Sequence, residues 1–73
     1  MATIDVPSPM AGSVKELLVA AGDSVEEGTE LLILESMKME IPVESPVAGT
    51  VEEIAVTAPQ TVDEGQLLLR IRV

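Results

Sequence analysis

The chain has 73 residues, thirteen acidic and four basic, for a net charge of −9, and it contains no cysteine, histidine or aromatic residue. It is long enough for a single domain, 1–73, and the missing residue types exclude disulfides, cysteine or histidine catalysis, zinc clusters and stacking on nucleic-acid bases. The negative charge has the wrong sign for binding a phosphate backbone. The longest aliphatic run, 31–34, is too short to span a bilayer, and the first residues lack the pattern of a signal peptide. We therefore expect a cytoplasmic domain that binds neither nucleic acid nor membrane and has no metal site.

The first half of the chain predicts four short strands. Residues 4–6 form one, a Ser-Pro-x-Ala-Gly turn follows, residues 13–19 form the second, a short third lies around Val25, and residues 31–34 form the fourth. Val and Ile together outnumber Leu, which favours strands. Proline and glycine fall mostly between these segments, and no stretch shows a helical period.

The second half repeats this plan, with strands at 41–43, 50–56, around Val62 and 67–71. Shifting the chain by 37 residues gives fifteen identities over the 33 positions compared, where chance would give about two or three. The duplication predicts an all-β sandwich or flattened barrel with pseudo-two-fold symmetry, in which each half covers the other's apolar face and the sheet pairs its own edges. The glycines that the copies share are expected to serve turns: Gly12, Gly28, Gly49 and Gly65.

The segment that joins the two copies has no counterpart in the repeat. If the strands on either side pair as a hairpin, Lys38 lies at its turn, at the end of the molecule opposite the termini. Most turn lysines are merely solvated, but the chain has only one other lysine, Lys15, and the apolar Met37 and Met39 flank Lys38 on a polar turn. Exposed methionines suit a surface that a partner recognises.

The junction resembles the attachment motif of biotinyl domains, the carrier modules of biotin-dependent carboxylases, in the sequence Glu35-Ser36-Met37-Lys38-Met39-Glu40. The likeness extends over nearly the whole chain, through Pro-Met-Ala-Gly at 9–12, Ala-Gly-Asp-Ser-Val-Glu-Glu-Gly at 21–28 and Val-Ala-Gly-Thr-Val at 47–51. It implies a barrel-sandwich hybrid, a flattened β-barrel of two four-stranded antiparallel sheets, with the modified lysine in the hairpin between the halves. That lysine is Lys38.

The resemblance also implies a function and a set of partners. Biotin protein ligase would attach biotin covalently to Lys38, and the biotin arm would carry activated CO₂ between the sites of biotin carboxylase and carboxyltransferase. Met37 and Met39 would be recognised by the ligase, with Glu35, Ser36 and Glu40 as the flanks of the motif. Such a carrier has no catalytic residues of its own. Ser36 departs from the alanine that many biotinyl domains have there, but it is also small.

Three alternatives remain at this point. Lipoyl domains are related and usually carry Asp-Lys-Ala, so a lipoyl-carrying domain of an acyl- or aminomethyl-transfer complex is possible, and the small stand-alone biotin/lipoyl attachment proteins are also similar. An unmodified acidic adaptor would explain the charge but not the Met-Lys-Met sequence. A Ser36–Lys38 hydrolase would need a buried lysine. The carboxylates near the turn, Glu35, Glu40 and Glu44, either keep the domain soluble or steer it to basic partners.

Overall fold

The computed structural model describes residues 2–73. This part of the chain contains eight strands and no helix, and therefore no helix able to cross a membrane. The strands, in chain order, are β1 (Thr3–Pro7), β2 (Gly12–Leu17), β3 (Ser24–Val25), β4 (Glu30–Ser36), β5 (Met39–Glu44), β6 (Gly49–Ile54), β7 (Gln60–Val62) and β8 (Leu67–Arg72).

The strands form two four-stranded antiparallel sheets, with strand orders β1-β8-β6-β3 and β5-β4-β2-β7. The prediction of an all-β fold with two such sheets is confirmed. A shift of 37 residues maps β1 to β5, β2 to β6, β3 to β7 and β4 to β8, and it converts one sheet order into the other. Each sheet takes two strands from each copy, so the copies are interlocked and neither copy is a layer by itself.

The two strands that contain a bulge, β2 and β6, end earlier than the sequence predicts. The second strand of each copy ends at Leu17 and Ile54, two residues early. In each of these strands the register against the neighbouring strand shifts once, at Lys15 in β2 and at Glu52 in β6. A bulge inserts one extra residue and bends its strand, which the apolar alternation alone does not reveal.

The core consists of aliphatic side chains that the duplication supplies in matched pairs. The buried pairs are Val6/Val43, Val14/Val51, Val25/Val62, Leu31/Leu68, Leu32/Leu69 and Leu34/Ile71, with Val56 in addition. Ser8 and Ser45 are the buried polar residues of the described part, and each hydroxyl donates to a backbone carbonyl two residues on, at 2.6 Å in both copies. Among residues 2–73 no buried side-chain nitrogen or oxygen lacks a partner.

The two sheets remain open, so the expectation of a sheet that pairs its own edges is wrong. β1 and β5 are the long edge strands, and an open groove of about 300 Å³ separates them. The groove is lined mainly by Val6, Val43 and prolines. Proline has no N–H to offer to another strand, and Pro7 and Pro42 therefore blunt these two edges.

Two of the shared glycines do not serve the turns that the sequence suggested. Gly28 and Gly65 have positive φ angles in turns, as expected, whereas Gly12 and Gly49 are the first residues of β2 and β6. A Cβ atom on Gly12 would lie 2.7 Å from the carbonyl oxygen of Glu35 and 3.3 Å from the Cβ of Ser36. These glycines are needed because the neighbouring strand passes too close for a side chain.

Candidate functional site: the β4–β5 hairpin

The predicted hairpin between the two copies is present. β4 and β5 pair from Glu30 opposite Glu44 up to Ser36 opposite Met39, which leaves Met37 and Lys38 as a two-residue loop. The equivalent place in the repeat lies where Ala2 meets Val73, whose amide donates to the carbonyl of Ala2 at 3.0 Å. The hairpin and the described ends of the chain are therefore related by the pseudo-two-fold axis, as the sequence predicts.

Lys38 is exposed at the tip of the hairpin. It takes part in none of the side-chain hydrogen bonds or ion pairs that residues 2–73 make. The side chains beside it also lie in solvent, with Met37 exposed by 93% and Met39 by 62%. An amine in this setting is accessible to a macromolecule, and the two thioethers around it contribute little to folding.

The backbone of the loop has an unusual conformation. Met37 and Lys38 have φ angles of 52° and 67°, and they are the non-glycine residues of the described chain with positive φ. Two consecutive positive φ angles are the requirement of a type I′ turn, which matches the right-handed twist of the flanking strands and is usually built from Asn-Gly. Each such residue costs of order 1–3 kcal/mol unless it is Gly, Asn or Asp. The tight pairing of Ser36 with Met39 imposes this conformation on the loop.

Two carboxylates lie next to the loop of the hairpin, one on each strand. Glu35 and Glu40 lie directly opposite each other on β4 and β5, and both are exposed. Like charges in this position repel. Lys15, at the bulge of β2, reaches across β4 and forms an ion pair with Glu40. The hydrogen bond from Lys15 to Glu40, together with the charges of Glu40, Glu35 and Glu16, raises the pKa of Lys15 above its ordinary value.

This arrangement separates the two lysines of the chain by their surroundings. Lys15 is held on the face of a sheet by a carboxylate, while Lys38 projects from a turn without one. The sequence singled out Lys38 but did not indicate the role of Lys15, because the contact between Lys15 and Glu40 depends on a bulge and joins strands that are not neighbours. The pairing of Ser36 and Lys38 as nucleophile and base finds no support, since Ser36 ends β4 and Lys38 lies exposed in the loop.

Among residues 2–73 no group of three or more histidine, cysteine, aspartate or glutamate side chains could hold a metal ion. The acidic residues instead lie spread along the strands and turns. What the hairpin can do chemically is to present a primary amine for acylation.

Comparison with known families identifies the type of domain. The biotin/lipoyl family model, described as "Biotin-requiring enzyme", matches residues 3–71. The chain belongs to this biotin/lipoyl family. The match covers β1 to β7 and all of β8 except its last residue, Arg72, and it places the β4–β5 hairpin near its middle.

The similar curated proteins include both biotin and lipoyl carriers. The chain is 54% identical over 39 residues to "Biotinylated protein TB7.3 homolog" of Mycolicibacterium smegmatis, a segment that covers 53% of this chain and 55% of that protein. It is 68% identical over 34 residues to the dihydrolipoyllysine-residue acetyltransferase component of the pyruvate dehydrogenase complex of Cupriavidus necator, covering 47% of this chain and 6% of that protein. The matches thus span from a few per cent to about half of the relatives' length.

Among solved structures, the chain is similar to part of the urea carboxylase of Kluyveromyces lactis. The TM-score is 0.92 at 29% identity, and the match covers 99% of this chain and 6% of that one. The family, the biotinylated relative and the carboxylase fold together identify a biotin carboxyl carrier-like domain, and the lipoyl alternative has the weaker support.

Proposed function

We propose that this domain carries biotin as an amide on Lys38 and serves as the carboxyl carrier of a biotin-dependent carboxylase. The observation that carries the proposal is the exposed, unpaired amine of Lys38 at the tip of a hairpin whose sequence is Met-Lys-Met. When bound, biotin supplies the carboxyl-carrying chemistry. The domain supplies the anchor, the position and the surface on which partners dock.

The attachment step requires little from the domain beyond its amine. The Lys38 nitrogen, once it has lost a proton, attacks an activated carboxyl carbon bound by biotin protein ligase. The N–C bond of the amide forms as the bond to the adenylate leaving group breaks, and that group departs with the electron pair. The reaction removes one positive charge from an already acidic protein.

The rigid hairpin makes the carrier effective. The loop holds Lys38 away from the body of the sandwich, and Ser36 paired with Met39 fixes the direction in which the tether leaves. Attachment raises the effective concentration of the cofactor at nearby sites, to about millimolar for a short flexible tether. We expect biotin carboxylase and carboxyltransferase components as the partners served in this way.

Co-expression with a biotin protein ligase tests the proposal, because the chain offers a matched lysine. Intact mass should show one biotinyl group on the wild type and on Lys15→Arg, and none on Lys38→Arg. Since Lys38 is exposed and its side chain makes no hydrogen bond or ion pair with residues 2–73, the free energy of unfolding of Lys38→Arg should lie within about 0.5 kcal/mol of the wild-type value. Biotin retained by Lys38→Arg would overturn the assignment.

A lipoyl carrier is the second candidate, and the 68% identity to the acetyltransferase component favours it. The methionines on both sides of Lys38 argue for biotin, since lipoyl domains usually carry Asp-Lys-Ala. The intact mass of the protein from its native source distinguishes the two, because biotin, lipoate and a bare lysine give three different values. A lipoyl group on the native protein would replace the first candidate by the second.

A further inference from the structure

The duplication allows the outer faces of the two sheets to be compared position by position. On the sheet without the hairpin, Arg70 of β8 lies opposite Asp5 of β1 on one side and Glu53 of β6 on the other. Its guanidinium donates to both carboxylates, at 3.1 Å to Asp5 and 2.6 Å to Glu53. On this face the charged side chains of the row therefore already pair with one another.

The same row on the hairpin sheet has different chemistry. The counterparts of Arg70, Asp5 and Glu53 are Ile33, Pro42 and Glu16, and these three also lie side by side across β4, β5 and β2. Ile33 is half-buried, while Pro42 and Glu16 are exposed. The central cation and one carboxylate are replaced by apolar side chains, and Glu16 has no basic partner among the described residues.

The next row, toward the hairpin, differs in the same direction. Arg72 of β8 lies opposite Thr3 and Thr50, whereas its counterpart Glu35 lies opposite Glu40 and Ser13. An arginine on one sheet thus corresponds to a glutamate on the other. Both arginines of the chain are on the sheet without the hairpin. The hairpin sheet presents an apolar pair, Ile33 and Pro42, bordered by Glu16, Glu35 and the Lys15–Glu40 ion pair.

These differences favour docking on the hairpin sheet. A partner that covered the Arg70 network would have to remove water from charges that are already satisfied. Covering Ile33 and Pro42 is instead favourable, at about 25 cal/mol per Å² of apolar surface. Glu16 and Glu35, the border glutamates outside the ion pairs of the described residues, add an attraction to basic side chains that speeds encounter and fixes orientation.

The position of the apolar pair indicates which partner covers it. Pro42 and Ile33 are three residues from Met39 and Ser36, about 10 Å along the strands from the loop. An enzyme that holds the Lys38 amine in its own active site comes within reach of this surface. Partners reached later through the long tether need not approach so closely, so the surface fits the acylating enzyme best.

We propose that Ile33 and Pro42, with Glu16, Glu35 and Glu40 at their border, form the surface on which the ligase that acylates Lys38 docks. The ligase surface that fits this patch has an apolar centre and basic side chains around it. The inference rests on the proposed function, in which a ligase loads Lys38. It adds a recognition surface on the sheet to the methionines of the loop.

The test exchanges the two faces. The double variant Ile33→Arg/Pro42→Asp rebuilds on the hairpin sheet the ion-pair row that the other sheet already has, with Glu16 as its third member. The double variant Arg70→Ile/Asp5→Pro makes the mirror change on the other sheet and is the matched control. Proline is tolerated at position 42 of the edge strand β5, so the equivalent position of edge strand β1 should accept it.

Steady-state biotinylation by the ligase is measured for each protein. We expect kcat/KM to fall at least tenfold for Ile33→Arg/Pro42→Asp, mainly through KM, and to stay within twofold for the control. Far-UV circular dichroism melts, and acylation of Lys38 by a small activated ester at an unchanged rate, show that the fold and the amine are intact.

The outcomes separate the two proposals. If the wild type is biotinylated and Ile33→Arg/Pro42→Asp is biotinylated equally well, the docking surface is overturned while the carrier function stands. An equal fall in kcat/KM for the control, Arg70→Ile/Asp5→Pro, also overturns the docking surface, because the effect is then not specific to the hairpin sheet. If the ligase does not biotinylate the wild type at all, the carrier function is overturned, and the docking surface with it.

Discussion

At the scale of single residues, the hairpin loop has a backbone conformation with two consecutive positive φ angles, which its two residues do not favour. A type I′ turn favours Asn-Gly, and this chain has Met37-Lys38 at φ angles of 52° and 67°. Neither side chain is buried or paired, so the conformation is maintained by the β4–β5 pairing and not by contacts of the loop. Strain of this kind persists where the residues serve something other than stability.

Replacing Met37 by Asn should therefore stabilise the fold. Asn accepts positive φ more readily than Met, and no packing is lost because Met37 is 93% exposed. We expect Met37→Asn to raise the free energy of unfolding by about 1 kcal/mol and to slow acylation of Lys38. Urea unfolding followed by far-UV circular dichroism measures the first effect, and ligase kinetics measure the second.

The control for this prediction is Met39→Asn. Met39 is also exposed but begins β5 and is not among the positive-φ residues, so its replacement should bring no gain in stability. Equal stability changes at both positions would show that the loop conformation is not the cause.

At the scale of strands and turns, the sequence predicts the number of elements and their symmetry but not their pairing. The 37-residue repeat locates all eight strands and the hairpin around Lys38. It does not show that β1 and β3 leave their own copy to join β8 and β6, because the two copies have the same apolar pattern and either partner would bury it.

The bulges at Lys15 and Glu52 leave only a weak mark in the sequence. In each strand the core-facing residues on either side of the bulge are three residues apart, Val14 and Leu17 in β2 and Val51 and Ile54 in β6, and this spacing alone does not indicate a bulge. Yet the bulge places Lys15 where it reaches Glu40, and it sets Glu16 opposite Ile33. The docking surface could be inferred only after the register was known.

The close approach of β2 to β4 leads to a prediction for the part of the hairpin next to its loop. In Gly12→Ala the new Cβ would meet the carbonyl oxygen of Glu35 at 2.7 Å, and backbone must move to make room. We expect a loss of about 1–3 kcal/mol in the free energy of unfolding. Because Glu35 and Ser36 lead directly into the loop, we also expect slower acylation of Lys38 at a temperature where the variant is folded.

Gly49→Ala is the matched control. Its Cβ would meet the carbonyl oxygen of Arg72 and the side chain of Ile71, at the end of the molecule away from Lys38. It should lose stability to a similar degree while the folded protein is acylated at the wild-type rate. If both variants were acylated equally slowly, the effect would come from lowered stability and not from the position of the hairpin.

At the scale of the whole molecule, electrostatic repulsion opposes the compact state. The net charge of −9 is held in a body with extents of 36 × 17 × 17 Å. The ion pairs among residues 2–73 are Lys15–Glu40, Arg70–Asp5 and Arg70–Glu53, and their side chains are 40–63% exposed. Exposed pairs contribute about 0–1 kcal/mol each, which is too little to offset thirteen carboxylates.

Salt should therefore stabilise this protein. At about 0.01 M ionic strength the Debye length is about 30 Å, so nearly every charge on the molecule interacts with every other, whereas at about 0.1 M it is about 10 Å. Screening weakens three ion pairs but relieves many more repulsions. We expect the free energy of unfolding to rise by on the order of 1 kcal/mol over this range, a shift of about 4–8 °C in the melting temperature. Calorimetry or far-UV circular dichroism measures it.

Variants with fewer charges distinguish screening from other effects of salt. Glu26, Glu27 and Glu64 are exposed in turns and their carboxylates make no hydrogen bonds among the described residues. In the triple variant Glu26→Gln/Glu27→Gln/Glu64→Gln, the melting temperature at low salt should be higher than that of the wild type. It should also depend less steeply on salt, since part of the repulsion between carboxylates has been removed. An unchanged salt slope, or a melting temperature that falls as sodium chloride is added to the wild type, would contradict the argument.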